Sequence, residues 1–137
     1  MIFALHGNLG SAEDFVFLQP DVAVAVDLCP LSPLSLKQVA AELKRRAELC
    51  QCRHLLGYSM GGRIALQALA DEPDFWTGAV IISAHPGLKT EQERAQRRKS
   101  DLAWAHLART APWSDFLAKW NAQSVLDGTP LPPHQAA

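Results

Sequence analysis

The motif Gly57-Tyr58-Ser59-Met60-Gly61 constrains the fold of this chain more than any other feature of the sequence. It lies between an apolar stretch at 53–58, typical of a buried strand, and an apolar helical stretch that ends before Pro73. A serine at the apex of a sharp strand-to-helix turn needs glycine on both sides, because a Cβ there would collide with the backbone. The motif therefore predicts a nucleophile elbow, with Ser59 as the catalytic residue.

Apolar strands and amphipathic helices alternate over the first part of the chain. The predicted strands cover residues 2–5, 22–26, 53–58 and 78–83, and the predicted helices follow Ser11, Ser35 and Ser59. This alternation is typical of an α/β fold with a parallel sheet and right-handed crossovers. We expect the strand order second, first, third, fourth. This order brings the carboxyl ends of strands one and three together, where ligands bind in such sheets.

The pattern changes after residue 84, because two helices then follow each other without a strand. They are predicted at 90–108 and 114–124, on either side of Pro112. The sequence thus predicts a core of residues 1–84, a helical lid of residues 85–126 and a tail of residues 127–137. Pro132-Pro133 is typical of a helix start, so we expect the tail to begin a truncated segment. A disordered tail is the alternative.

Composition excludes several classes of partner. The formal net charge is −1, so no global field favours nucleic acid, and no apolar run is long enough for a membrane span. The three cysteines form neither a disulfide framework nor a metal-ligand spacing, which fits a reducing cytoplasm. The sequence contains no signal for an oligomeric state.

A loop after the first strand, His6-Gly7-Asn8-Leu9-Gly10-Ser11, is expected to lie beside the elbow. Such loops supply a backbone N–H to an oxyanion hole. The predicted donors are the N–H groups of Asn8 and of Met60, the residue after the nucleophile. We expect His6 to hold this loop in place and not to act as a catalytic base.

The rest of a catalytic triad is missing from the printed sequence. In this type of site an acid and then a histidine follow the serine along the chain, each after a strand. The fourth strand is followed by Ser83-Ala84-His85, without a carboxylate, and neither His106 nor His134 follows a strand. A serine hydroxyl without a base is a poor nucleophile at neutral pH. A catalytically incompetent fragment or a binding module therefore remains an open reading.

Three further segments carry a more particular pattern: His85-Pro86-Gly87-Leu88, the arginine-rich stretch 93–104, and 116–123, which includes Trp120. Together with His6-Gly7 and the elbow, they are similar to the α/β-hydrolase superfamily. Within it, the chain resembles the 2-succinyl-6-hydroxy-2,4-cyclohexadiene-1-carboxylate synthase family (the MenH family). The resemblance implies a partial α/β-hydrolase fold, a parallel sheet flanked by helices, with a helical lid.

The resemblance also implies an activity, a lyase of bacterial menaquinone biosynthesis that eliminates pyruvate from a cyclohexene polycarboxylate. It implies a small-molecule carboxylate substrate, a cytoplasmic location and no metal or organic cofactor. Ser59 would relay a proton, Arg63 and Arg97 would bind carboxylates, and Trp120 would line the pocket. The acid, the base and a further arginine would lie beyond residue 137. A serine esterase or thioesterase of the same fold is the alternative reaction.

Overall fold

The computed structural model describes residues 1–126 and residue 128; the predicted start of a truncated segment, with His134, lies outside these residues. Its strands are β1 (Ile2–Leu5), β2 (Ala23–Val26), β3 (His54–Tyr58) and β4 (Gly78–Ile82). Its α-helices are α1 (Leu36–Leu49), α2 (Met60–Asp71), α3 (Glu91–Thr110) and α4 (Trp113–Asn121). Short 3-10 helices cover Ala12–Phe15, Cys29–Leu31 and Ser124–Leu126.

The four strands form one parallel sheet in the order β2-β1-β3-β4, which confirms the predicted order. Leu5 at the end of β1 lies opposite Val26 of β2 and Gly57 of β3. Tyr58, the last residue of β3, lies opposite Ile82 of β4. The carboxyl ends of all four strands therefore meet at one edge of the sheet, and the segments that follow β1 and β3 are neighbours there.

Helices α1 and α2 pack on each other, and α2 also packs on β1, β3 and β4. Spacing of three and four residues in α1 buries Val39, Ala40, Leu43 and Ala47, the face that the periodicity predicts. Leu36 was expected on the same face, but 40% of its surface is exposed. It is the first residue of the helix and precedes the turns that reach the core.

The segment after the first loop differs from the predicted short helix. It is a single 3-10 turn, Ala12–Phe15, in which the Ser11 and Asp14 side chains form a capping box. Only Phe15 is buried there, while Phe17 remains 71% exposed. The Val16 N–H donates to the Glu13 carbonyl, three residues back, which is the bonding pattern of a 3-10 helix. The helix is short because runs of this pattern longer than three or four residues are uncommon.

The chain divides into two compact units, Met1–Pro86 and the part from Gly87 onward. The first unit contains the sheet, α1 and α2, and the second contains α3 and α4. In the second unit, Phe116 is buried among the rings of Trp104, Trp113 and Trp120, with ring-centroid distances of 5.0 to 5.9 Å. Over the described residues, no helix is both long and apolar enough to cross a membrane.

Candidate active site

Ser59 stands between β3 and α2 in a backbone conformation that a serine rarely adopts. Its φ is 51° and its ψ is −111°. For a non-glycine residue this conformation costs on the order of 1–3 kcal/mol, and it occurs mainly at functional sites. Two backbone hydrogen bonds hold it: the Ser59 N–H donates to the Ile82 carbonyl at 2.9 Å, and the Ser59 carbonyl accepts from Arg63 at 3.1 Å. The elbow thus has the strained turn that the motif predicts.

Close backbone approach explains both glycines of the elbow. A Cβ on Gly57 would lie 2.6 Å from the Gly61 carbonyl oxygen and from the Gly62 Cα. A Cβ on Gly61 would overlap the Leu5 carbonyl at the end of β1. The first contact closes the turn, and the second brings the first turn of α2 directly against the end of the neighbouring strand.

His6 connects three chain segments at this edge. Its ring is 1% exposed, its Nε2 accepts the Leu28 N–H at 2.9 Å, and its Nδ1 lies 2.8 Å from the Gly7 carbonyl. Because Nε2 accepts a backbone N–H, the ring proton belongs on Nδ1, which donates to Gly7. The His6 carbonyl in turn accepts the Gly61 N–H at 3.1 Å. Both ring nitrogens are therefore engaged in holding the loop, as a structural role for His6 requires.

The N–H groups of Asn8 and Met60, the predicted oxyanion donors, follow neighbouring strand ends. Met60 is the first residue of α2, where the backbone N–H groups of a helix lack intrahelical acceptors and the helix dipole favours negative charge. Within residues 1–126 and 128, neither N–H donates a hydrogen bond. By contrast, the N–H groups of Ser59 and Gly61 are both bonded to carbonyls. The Asn8 and Met60 donors thus remain available beside the serine.

Arg63 lies one turn along α2 from Ser59, on an exposed position. Its guanidinium has no ion-pair or hydrogen-bond partner in the described part of the chain. Other arginines of the same unit do pair: Arg45 and Arg46 both bind Glu42, which lowers the pKa of that carboxyl to about 2. Because this guanidinium has no partner among the described residues, it can donate hydrogen bonds to a ligand carboxylate without first breaking an existing ion pair.

The second unit contains Arg97 and Trp120, and its three neighbouring arginines differ in what they bind. Arg94 donates through Nε to Glu91 and through Nη1 to the Leu88 carbonyl, so its guanidinium is occupied on two sides. Arg98 donates to Glu91. Arg97 uses only Nε, which donates to Asp101 at 2.7 Å, and both terminal nitrogens lack a partner among the described residues. Among these three arginines, Arg97 is the one whose two terminal nitrogens are both unpaired within the described residues, so that edge can bind a carboxylate through two hydrogen bonds.

Trp120 belongs to the aromatic cluster of α3 and α4. Its ring meets Trp104 edge to face at 5.1 Å and stacks on Phe116 at 5.9 Å. Trp120 keeps partial exposure, whereas Trp113 is 57% exposed. Trp113 is the first residue of α4 and stacks on Phe116 from the end of the helix, where less of its ring is covered.

No catalytic base accompanies Ser59 within the described residues, where its hydroxyl forms no hydrogen bond. Among the described residues, one cluster of side chains has the spacing of metal ligands. It consists of His6, Asp27 and Cys29, whose ligand atoms all lie within 4.8 Å of one another. A metal on His6 Nε2 would displace the Leu28 N–H, and Asp27 already accepts the Cys29 N–H at 3.0 Å, which lowers the pKa of that carboxyl. Partial desolvation and the Asp27 carboxylate raise the pKa of the Cys29 thiol, which disfavours a thiolate ligand. We therefore interpret the cluster as a hydrogen-bond network and not as a metal site.

Residues 51–110, which include the elbow and α2, match the family model described as the alpha/beta hydrolase fold. This match agrees with the parallel sheet, its strand order and the strained serine at the end of β3. The chain has a partial α/β-hydrolase fold, a parallel sheet flanked by helices.

Two curated relatives show which enzymes this sequence is similar to. The chain is 44% identical over 71 residues to a 2-succinyl-6-hydroxy-2,4-cyclohexadiene-1-carboxylate synthase of Escherichia coli O1:K1, which covers 52% of this chain and 28% of the relative. It is 42% identical over 82 residues to the synthase of Salmonella arizonae, which covers 60% of this chain and 32% of the relative. The predicted resemblance to this synthase family is confirmed by these relatives. The matched segment spans about a third of the length of each relative.

Proposed function

We propose that this chain forms the serine-bearing part of a lyase that eliminates pyruvate from a cyclohexene polycarboxylate in bacterial menaquinone biosynthesis. The observation that carries the proposal is the meeting, at one sheet edge, of a strained serine and two backbone N–H groups that have no acceptor among the described residues. The name shared by the relatives supports the choice of reaction. The proposed place of action is the cytoplasm.

In the proposed reaction, Ser59 relays a proton from the substrate ring to a base. The electron pair of the broken C–H bond forms a ring double bond, the C–O bond breaks, and the pyruvate unit leaves as its enolate. Negative charge that develops on a substrate oxygen would be stabilised by the N–H groups of Asn8 and Met60. The base and its acid partner are proposed to lie in sequence beyond residue 137, as the resemblance implies.

Arginines explain how such a substrate would be held. A polycarboxylate needs several cationic partners, and a guanidinium binds a carboxylate through two parallel hydrogen bonds. Arg63 has no partner among the described residues and Arg97 keeps its terminal edge available, so both are proposed as carboxylate ligands. Trp120 is proposed to line the pocket with its partly exposed ring.

A serine esterase or thioesterase is the second candidate, and it is favoured by the same elbow and N–H donors, which also suit an acyl intermediate. A binding module without catalysis is the third. It is favoured by the absence of a base next to Ser59 within residues 1–126 and 128. The three candidates predict different chemistry with the same protein.

The test uses the chain extended by whatever encoded sequence follows residue 137, with and without the change Ser59→Ala, and incubates each protein separately with the polycarboxylate and with p-nitrophenyl esters. Pyruvate release that is lost in Ser59→Ala would support the lyase. Ester turnover that depends on Ser59, without pyruvate release, would replace the lyase with the esterase. Binding of the polycarboxylate without any turnover that depends on Ser59 would support the binding module and overturn both enzyme readings for this chain.

A further inference from the structure

Ser83 occupies, at the end of β4, the position that Ser59 occupies at the end of β3. Tyr58 and Ile82 are paired in the parallel ladder, and each serine is the next residue along its strand. The Ser59 N–H donates to the Ile82 carbonyl at 2.9 Å, so the ladder extends to the elbow itself. Because neighbouring strands lie about 4.8 Å apart, Ser83 is an immediate neighbour of Ser59 across the sheet edge.

The two serines also share a positive φ, which is uncommon for residues other than glycine. The φ of Ser83 is 52° and that of Ser59 is 51°. In the described residues, the other non-glycine residues with positive φ are Leu9 and Gln51. Leu9 lies in the loop after β1, at the same sheet edge, whereas Gln51 precedes β3 at the opposite edge. Strain is thus concentrated where Ser59, Asn8 and Met60 come together, as is common at binding and catalytic sites.

The segment after Ser83 is packed against the elbow helix. A Cβ placed on Gly62 would lie 2.7 Å from the Cβ of Ala84, so these two backbones are in close contact. Ser83 itself is exposed, and its hydroxyl makes no hydrogen bond within the part of the chain that the structure describes. A hydroxyl with no acceptor among the described residues, on the residue that follows the partner strand of the elbow, has its proton available for a ligand.

We propose that the Ser83 hydroxyl is a third donor of the site and hydrogen-bonds a negatively charged oxygen of the ligand that Ser59 engages. The ligand class is one with a carboxylate or an oxyanion at the reacting centre. This inference rests on the assignment of Ser59 as the reactive serine in the proposed function, but not on the lyase reaction. Glycine would adopt a φ of 52° without steric cost, so a side chain at this position is dispensable for the backbone turn.

The experiment uses a fluorophosphonate, with which Ser59 can react independently of the lyase chemistry. The Ser59 oxygen forms a bond to phosphorus, fluoride leaves, and the hydroxyl proton passes to solvent. A negatively charged phosphoryl oxygen develops during this step and needs the same donors as a substrate oxyanion. Labelling rates are measured by intact mass, with the labelled residue identified by peptide mapping, and urea unfolding is measured on the same samples.

Three variants separate the hydroxyl from the strain. Ser83→Ala removes the hydroxyl and keeps a side chain at a positive φ. Ser83→Gly removes both, and Gln51→Gly removes a side chain at a similar positive φ at the opposite edge of the sheet. We expect both Ser83 variants to label about tenfold more slowly, since a hydrogen bond to a charged group is lost. Gln51→Gly should label at the rate of the unchanged chain. Both glycine variants should unfold at an equal or higher urea concentration.

A labelling rate unchanged by Ser83→Ala and Ser83→Gly would overturn the inference, whatever the fate of the lyase proposal. Failure to label Ser59 in the unchanged chain would overturn it too, because Ser83 would then have no reactive serine to assist. Slower labelling of both Ser83 variants, combined with no release of pyruvate, would sustain Ser83 as a donor while refuting the lyase.

Discussion

The two units of this chain build their functional features in different ways. In Met1–Pro86 the features come from the backbone: N–H groups at strand and helix ends, and glycines that allow main chains to touch. In the unit from Gly87 onward they come from exposed side chains, since none of the 20 residues of α3 is buried. Close backbone contacts leave few possible positions for the groups that they hold, whereas an exposed side chain can adopt many conformations. We therefore expect the elbow around Ser59 to keep one conformation, and the arginine side chains of α3 to adopt several.

The largest effect should come from filling the backbone contact that joins the elbow to β1. Gly61→Ala places a Cβ against the Leu5 and His6 carbonyls, which cannot move without shifting the strand. We expect the free energy of unfolding to fall by about 3 kcal/mol. Gly78→Ala is the matched control, because its Cβ would meet only the His54 ring at 3.4 Å, an ordinary contact. Equal urea midpoints for the two variants would refute the backbone account of the first unit.

A somewhat smaller loss is expected from removing the ring that links β1 and β2. His6→Ala leaves the Leu28 N–H buried without its acceptor, which should lower the free energy of unfolding by about 2 kcal/mol. His106→Ala, at an exposed position in the middle of α3, provides the comparison in the second unit and should change stability little. Thermal or urea unfolding measures both. If His106→Ala lowered the free energy of unfolding as much as His6→Ala, the proposed difference between the two units would be wrong.

The two units should also differ in what causes association. β4 is at the end of the sheet, and its Val80 is 58% exposed, so strand pairing between molecules is expected at high protein concentration. Val80→Lys should reduce this association, because a charged edge strand pairs poorly. Leu102→Lys changes an even more exposed residue, at 71%, but on helix α3, and should leave the association unchanged. Sedimentation velocity compares the three proteins; a monodisperse unchanged chain would contradict the expectation.

The smallest difference concerns two capping boxes of the same design. Ser35 and Gln38 cap α1, and Thr90 and Glu93 cap α3. The hydrogen bond from the Thr90 N–H lowers the pKa of the Glu93 carboxyl below 4.5. Its contribution is therefore complete above pH 4.5 and is lost as the pH falls through the lowered pKa of folded Glu93.

Gln38 does not titrate, so the α1 cap should be insensitive over the same pH range. NMR from neutral to acid pH can measure how far the amide protons of Thr90 and Ser35 are protected from exchange with solvent, which reports on both caps. Loss of protection at Ser35 together with Thr90 would indicate general unfolding and remove the cap-specific explanation.

Much of the first unit could be predicted from sequence because its elements are set by local rules. The alternation of strands and helices predicts the sheet order, and the two glycines around Ser59 predict the strained turn. The positive φ of Ser83 could not be predicted, since nothing in the sequence distinguishes it from the end of the strand. The exposure of Trp113 was also missed. It depends on which part of the aromatic cluster covers the ring, and periodicity does not contain that information.

The candidate site was predictable to different degrees in the two units. The positions of Asn8 and Met60 after neighbouring strand ends could be predicted from the sequence, whereas the partners of the arginines could not. Arg94 and Arg97 have similar surroundings in the sequence, yet only Arg94 is bound on two sides. Such differences arise from side-chain geometry on an exposed helix, where several pairings have similar free energies.

The central claim is that Ser59 lies in an anion-binding site. Its most direct test is an NMR titration of the chain with 2-succinyl-6-hydroxy-2,4-cyclohexadiene-1-carboxylate, the product of the proposed reaction. It needs no turnover and reports on each backbone N–H separately. We predict that the amide signals of Asn8 and Met60 shift in a saturable way, together with the guanidinium signals of Arg63 and Arg97. Unchanged Asn8 and Met60 signals at ligand concentrations that saturate other sites would contradict an anion-binding site at Ser59.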